Sequence, residues 1–389
     1  MQSITFFVII FFVIMISYLF YSIPSHARHT CLHFKRTEKT PIRLVAAEKR
    51  LTLPITSNIP TLKAGATGKT LMIPMQYCAE DKGFIIATSI ANKTISLVLD
   101  SGSPNILVAT DECVSDYCPD HSGKIPSQQG KTEKLGFASL DAYTRVASLP
   151  LKVLASQTKD DECPMRGLMP LHDTKYLHAM NMGDMKVYAA HNMTGTGTNI
   201  LGLMPSYDGK TTALEELFKK TKLQREWGMS IDNTGAYGWF WLGKIPDQCY
   251  STKLSWVPLS TKIRHLGSMF IQGTSLQIGT KKFSRPYQIM IDTGTTETYF
   301  SHHFDTMFDK VPTEDVDFTI HSTLTLSLTP SQYMEQRGKY STCTLHYGDT
   351  QWMKGVSKLP LILLGIAHMQ GILFHVNLNT KKVAFGQIT

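Results

Sequence analysis

Leu97-Val98-Leu99-Asp100-Ser101-Gly102-Ser103 is answered 192 residues later by Ile289-Met290-Ile291-Asp292-Thr293-Gly294-Thr295. In both copies an apolar run ends in Asp-[Ser/Thr]-Gly-[Ser/Thr]. Each is followed by a hydrophobic-hydrophobic-Gly element, Asn199-Ile200-Leu201-Gly202-Leu203 after the first and Leu361-Ile362-Leu363-Leu364-Gly365-Ile366 after the second. At average residue usage such a tetrad arises by chance in roughly one in fifty chains of this length, and twice in very few. One copy alone could be an Asx turn at a strand end, where Asp and Ser bond their own backbone. Two copies with matching follow-on elements read as two halves of one repeated fold.

The repeat carries chemistry. Two Asp residues delivered by equivalent turns can face each other across a pseudo-twofold axis, and carboxylates about 3 Å apart cannot both ionise, so they share a proton. The ionised one can deprotonate a water held between them while the protonated one bonds a scissile carbonyl, which hydrolyses an amide without metal or covalent intermediate. Asp100 and Asp292 are the candidate catalytic pair. Gly102 and Gly294 let each backbone turn closely, and the hydroxyls of Ser101, Ser103, Thr293 and Thr295 brace the carboxylates.

Working outward, short β-branched and aromatic runs separated by turn residues predict strands over Phe84–Ile90, Thr94–Leu99, Asn105–Val108, Leu149–Leu154, Trp239–Leu242, Phe270–Ile278, Gln288–Ile291, Phe318–Leu328, Leu361–Leu364, Gly371–Val376 and Lys382–Phe385. The best helical pattern is Thr212–Thr221, with Leu214, Leu217 and Phe218 on one face and acid before base along it. The chain is mostly β. Its 389 residues, 42% hydrophobic and 18% charged, exclude disorder and a small stapled scaffold and leave room for two to three units at about 150 residues each. The 18 Met read as core filler.

The net charge of +8 is unevenly placed. Residues 1–27 carry no formal charge, whereas residues 28–67 hold eight Lys and Arg against Glu38 and Glu48, a net +6. A nucleic-acid partner is not expected, because the basicity precedes the folded part and forms no stripe upon it. Ile4–Ile23 is an uncharged, mostly apolar run of twenty residues, long enough to cross a bilayer, so it is either a possible membrane anchor or a signal peptide cleaved near Ala27. Asn92-Lys93-Thr94 and Asn192-Met193-Thr194 are glycosylation acceptors if the chain enters the secretory lumen. Of seven cysteines, Cys31 lies in the basic leader and is the expected odd one; Cys78, Cys163, Cys249 and Cys343 allow three connectivities. No Cys/His cluster has zinc spacing and His302-His303 reads as a solvated pair, so neither metal nor cofactor is expected. No GxSxG, HExxH or phosphate-cradling glycine motif occurs.

With both tetrads, both Gly-ended elements and the ending Gly371–Phe385, the chain resembles the pepsin-like aspartic endopeptidases from about Gly68 to Thr389. The resemblance implies two pseudo-twofold-related β-barrel lobes with a cleft between them. Its divisions are residues 1–27 as signal peptide or anchor, 28–67 as basic propeptide, 68–245 as the lobe with Asp100, and 246–389 as the lobe with Asp292. It implies an extended peptide or protein substrate, the chain's own propeptide as inhibitor, cleavage at acid pH, and a secreted or endolysosomal protein, the alternative being one held by its anchor. It also implies a disulfide between Cys113 and Cys118, which stand thirteen and eighteen residues after Asp100 as in many members. Two departures stand out. Leu107 occupies the position of the family's Trp, with Pro104 where a small Ser or Thr is usual. The Tyr-Gly-x-Gly flap motif is missing from Leu135–Leu151; alignment of the outgoing strand puts Phe137 at the tyrosine position, whereas counting favours Tyr143. A weakly active or inactive pepsin-fold binding protein is the competing reading.

Overall fold

Gly83–Ile90 and Lys93–Asp100 form an antiparallel hairpin whose turn residues Ala91 and Asn92 both take positive φ, 50° and 61°. That handedness matches the twist of the flanking strands, and Asn accepts it readily whereas Ala is strained there. The hairpin's inward residues Phe84, Ile86, Ile95, Leu97 and Leu99 are all fully buried, so the apolar run that delivers Asp100 is a core strand. The same holds for Tyr287–Asp292, buried along its whole length.

The structure is a computed structural model. It describes residues 70–136, 140–157, 177–195, 197–205, 211–232, 235–249, 254–260, 269–307, 314–321, 324–330 and 359–387, with further backbone strands at Phe34–Lys35, Thr61–Lys63, Met334–Arg337, Tyr340–Cys343 and Leu345–Tyr347. The apolar run Ile4–Ile23 and its cleavage site lie outside the described residues, as do Cys31, Phe137 and Cys163. Among the described residues, no helix is long and apolar enough to cross a membrane.

Strands dominate, in a 14-stranded sheet, an 8-stranded sheet and a small 3-stranded one, a mostly β arrangement consistent with a bilobal pepsin-like fold. The repeat read from the sequence is present as repeated topology. Lys93–Asp100 lies parallel to Ile200–Gly202, which in turn pairs antiparallel with Ile106–Ala109. Tyr287–Asp292 lies parallel to Leu361–Gly365, which pairs antiparallel with Thr298–Phe300. In each half the aspartate is in register with the glycine, Asp100 with Gly202 and Asp292 with Gly365. Neither glycine tolerates a side chain: a Cβ on Gly202 would come 2.5 Å from the Ser103 carbonyl oxygen and one on Gly365 would come 2.0 Å from that of Glu297.

The larger sheet joins the two ends of the chain. Glu226–Ile231 pairs with Tyr237–Leu242 on one side and with Ile372–Asn377 on the other, and Ile372–Asn377 pairs with Lys382–Gln387, which pairs with Ser255–Pro258. Trp227 seals that seam, meeting Phe240 and Phe374 edge-on with ring centroids 6.1 and 5.5 Å away.

Helix Ala213–Thr221 falls where its periodicity placed it, burying Leu214, Leu217 and Phe218. Thr212 caps it by accepting from the Glu215 N–H, and Lys222 ends it at φ 55°. The expected run Phe318–Leu328 is corrected to a hairpin of Val316–Ile320 and Leu324–Leu328, with His321 at φ 48° beside the turn. Strands Leu71–Cys78, Thr132–Gly136, His178–Gly195, Glu226–Ile231 and Ser255–Pro258 were not anticipated from pattern.

Candidate active site

Both aspartates sit at strand ends, where the chain must turn. Each turn folds back on its own carboxylate in the same way. The Gly102 N–H donates to Asp100 Oδ1 at 2.7 Å and the Ser103 hydroxyl donates to Oδ2; the Gly294 N–H donates to Asp292 Oδ1 at 3.1 Å and the Thr295 hydroxyl to Oδ2 at 2.8 Å.

The middle residues of the tetrads lock the turns to each other. The Ser101 N–H donates to Thr293 Oγ1 at 2.9 Å, and the Thr293 N–H donates to Ser101 Oγ at 3.0 Å. Each hydroxyl then donates across the axis to the strand before the opposite aspartate, Ser101 to the Ile291 carbonyl at 2.9 Å and Thr293 to the Leu99 carbonyl at 2.8 Å. Four bonds thus exchange between segments 192 residues apart, and both hydroxyl residues are fully buried. Such a closed, satisfied network fixes position to within a few tenths of an ångström.

The glycines sit where the two carboxylates converge. A Cβ on Gly102 would lie 2.9 Å from Asp292 Oδ1 and 3.1 Å from Asp100 Oδ1, and one on Gly294 would lie 2.4 Å from Asp100 Oδ1. Burial and the neighbouring Asp292 push the Asp100 carboxyl up to about 7, against the Ser103 hydroxyl and Gly102 N–H that favour its ionised form. Burial also raises Asp292, opposed by Thr295 and Gly294. The two titrate as one coupled pair.

The structure joins Cys113 to Cys118 in a disulfide, with Cα atoms 5.7 Å apart. It packs with Leu107, Leu140, Ala142, Tyr188, Met193 and Ile200 in a separate apolar cluster. Leu107 is fully buried there, so this position holds an aliphatic core residue. Cys78 is a free thiol, which corrects the expectation that Cys31 alone is left over; Cys249 is disulfide-bonded. Strand Thr132–Gly136 runs antiparallel to Leu140–Gln157, with Gly136 opposite Asp141, as a flap hairpin would. Phe137 lies outside the described residues; Tyr143 lies on the outgoing strand opposite Lys134, 37% exposed. Asn92 and Asn192 are both at exposed positions, in a hairpin turn and on a strand opposite Tyr143.

Sequence reasoning missed the groups that hold the two halves from behind. Asn199 is fully buried: its Oδ1 accepts from the Ala109 N–H at 2.8 Å and its Nδ2 donates to the Gly123 carbonyl at 2.9 Å. In the other half Thr298 accepts from the Gly365 N–H at 3.1 Å and bonds buried His368. The signal available was position alone, Asn199 directly preceding one Gly-ended element and His368 following the other.

A family model described as eukaryotic aspartyl protease matches residues 173–311, about a third of the chain. The match takes in the Asp292 tetrad and Ile200-Leu201-Gly202, and with the paired topology it supports the pepsin-like family. The coarse character that goes with it is that of a peptide-hydrolysing protease. No curated protein matches the chain.

Proposed function

We propose that the chain is an aspartic endopeptidase that hydrolyses peptide bonds with a water activated between Asp100 and Asp292. The observation that carries the reading is the symmetric exchange of bonds between Ser101 and Thr293, which aims two buried, proton-sharing carboxyls at one point. The resting pair shares one proton; with that proton on Asp100, Asp292 is the base. Asp292 takes a proton from the water as its oxygen attacks the carbonyl carbon, and the Asp100 proton passes to the carbonyl oxygen, giving a neutral gem-diol. The proton on Asp292 then moves to the amide nitrogen, the C–N bond breaks, and a hydroxyl proton returns to the pair.

The shared proton is lost as pH rises through about 7, the value to which Asp100 is pushed, so cleavage belongs to the acid side of neutrality. Asp100→Asn and Asp292→Asn should each abolish cleavage of a peptide at acid pH with the circular dichroism unchanged. Undiminished cleavage in either would overturn the mechanism. Inhibition by pepstatin, a peptide that occupies such dyads, is the companion measurement.

The apolar leader, the exposed sequons and the Cys113–Cys118 bond support passage through the secretory lumen, with residues 28–67 as a basic propeptide over the cleft. N-terminal sequencing of the processed protein should find a start near Gly68. An intact leader would instead support a membrane-anchored protein.

A further inference from the structure

The turn Cys78-Ala79-Glu80-Asp81-Lys82-Gly83 joins strands Leu71–Cys78 and Gly83–Ile90, and the short 3-10 helix Asp120–Ser122 packs against it. Together they place the Cys78 Sγ, a carboxylate oxygen of Glu80 and a ring nitrogen of His121 within 4.8 Å of one another. We propose that Cys78, Glu80 and His121 bind a single zinc-class divalent cation, with water in the fourth position.

Four features of this corner argue for a metal. The three donors are a sulfur, an imidazole nitrogen and a carboxylate oxygen, a set that suits Zn²⁺ and excludes the all-oxygen demands of Ca²⁺ and Mg²⁺. Zinc bonds of about 2.0–2.3 Å require ligand atoms roughly 3.5 Å apart, a closure that the exposed Glu80 side chain can supply. The histidine is already oriented: His121 Nε2 lies 2.9 Å from Asp81 Oδ1, so a buried carboxylate holds the imidazole ring at the site. Asp81 itself is 5% exposed and fixed by the Ser122 hydroxyl at 2.8 Å and the Thr198 hydroxyl at 2.8 Å, so the orienting group does not move.

Zinc binds the thiolate form of Cys78, so one proton leaves to solvent per ion bound. Cys78 and His121 stand 43 residues apart and meet only through the fold, so no local spacing marks the site. The site stands outside the aspartate pair and does not depend on the peptidase reading.

The test is titration of the full chain with Co²⁺, then Zn²⁺, followed by absorption spectroscopy. One ion per chain is expected, with the sulfur-to-cobalt charge-transfer band of thiolate ligation, bleached when Zn²⁺ displaces Co²⁺. Cys78→Ser should remove the band, and His121→Ala should weaken binding at least about 10-fold, as loss of a ligand or its orienter does. Both variants should keep the wild-type circular dichroism and peptide cleavage in metal-free buffer. Absence of the band in the wild-type protein, equal affinity in Cys78→Ser, or recovery of Cys78 in a disulfide by non-reducing mass spectrometry would each overturn the site. Should Cys78→Ser fail to fold, the wild-type spectrum decides alone.

Discussion

Asp100 shows how the site opposes the stability of the molecule that carries it. Its carboxyl is raised from 3.8 to about 7, chiefly by burial. Between those values the folded chain holds a proton that the unfolded chain has released, so the contribution of Asp100 to folding is fully present below about 4 and is lost as pH climbs through about 7. Asp100→Asn removes the group that must be ionised in a buried place above neutrality. The variant should therefore melt at a higher temperature than the wild type above pH 7 and at nearly the same temperature near pH 4; a gap of the same size at both would sink the assignment. Ser101 and Thr293 have the opposite sign. Ser101→Ala leaves the buried Thr293 N–H without its acceptor, at a cost of about 1–3 kcal/mol, read as a lower urea midpoint with an unchanged slope. The contacts of Gly102, Ser103, Gly294 and Thr295 were legible because each tetrad is contiguous and spacing fixes which atoms fold back on its carboxylate; Ser101 and Thr293, expected to brace the carboxylates, instead donate to the Ile291 and Leu99 carbonyls, a pairing that only the fold creates. The Cys78–His121 corner was not legible, since no local pattern records that a hairpin turn and a 3-10 helix will meet.

At the scale of elements, helix Ala213–Thr221 bears on the Asp100 turn, and the hairpin of Thr132–Gly136 with Leu140–Gln157 is the proposed flap. The first N–H of the helix donates to the Pro104 carbonyl at 2.8 Å, one residue beyond the first tetrad. Thr212→Ala should cost about 1 kcal/mol through the lost cap, measured by urea denaturation, and should also loosen the turn that Pro104 ends. Leu107 and Leu140, the latter on the outgoing flap strand, share one buried cluster, so apolar packing anchors the hairpin. Tyr143 stands two positions along from the pair of Gly136 with Asp141, its ring 6.0 Å from the Lys134 amine, a contact that occupies its face. Phe137→Ala should lower kcat/KM on the order of 10- to 100-fold through lost positioning, with Tyr143→Ala close to wild type. The reverse ranking would assign the flap contact to Tyr143. Strand His178–Gly195 shows where pattern reading stops. Its sequence is rich in Met, Asn and Gly, and what makes it a strand is sixteen residues of pairing with Leu140–Gln157, with Met180, Met182 and Met185 filling the main core and Met193 the cluster around the disulfide.

For the whole molecule, the decisive fact is that the large sheet and the candidate site each draw on both halves of the chain. The large sheet passes from the first half into the C-terminal hairpin through the pairing of Glu226–Ile231 with Ile372–Asn377, and Leu373, Phe374, Val376, Val383 and Ala384 on that hairpin are all buried. Glu226 strengthens the seam from inside: its carboxylate accepts from Asn377 Nδ2 at 2.8 Å and stands 2.9 Å from His375 Nε2. One continuous apolar cluster takes residues from both halves, from Leu71 to Phe385. Cutting the chain between the halves would strand a row of backbone N–H and C=O groups along Glu226–Ile231 and open the wall behind Trp227. It would also remove the partner of each tetrad hydroxyl, leaving Ser101 and Thr293 buried without the carbonyls to which they donate. The expectation is therefore a single cooperative unfolding transition for the protein from residue 70 onward, with calorimetric and van't Hoff enthalpies equal, in place of the two that independent lobes would give. Deleting the hairpin Ile372–Gln387 should abolish the transition altogether. Two resolved transitions, one of them surviving that deletion, would mean that the first half folds alone and that the shared sheet is only a contact between finished lobes.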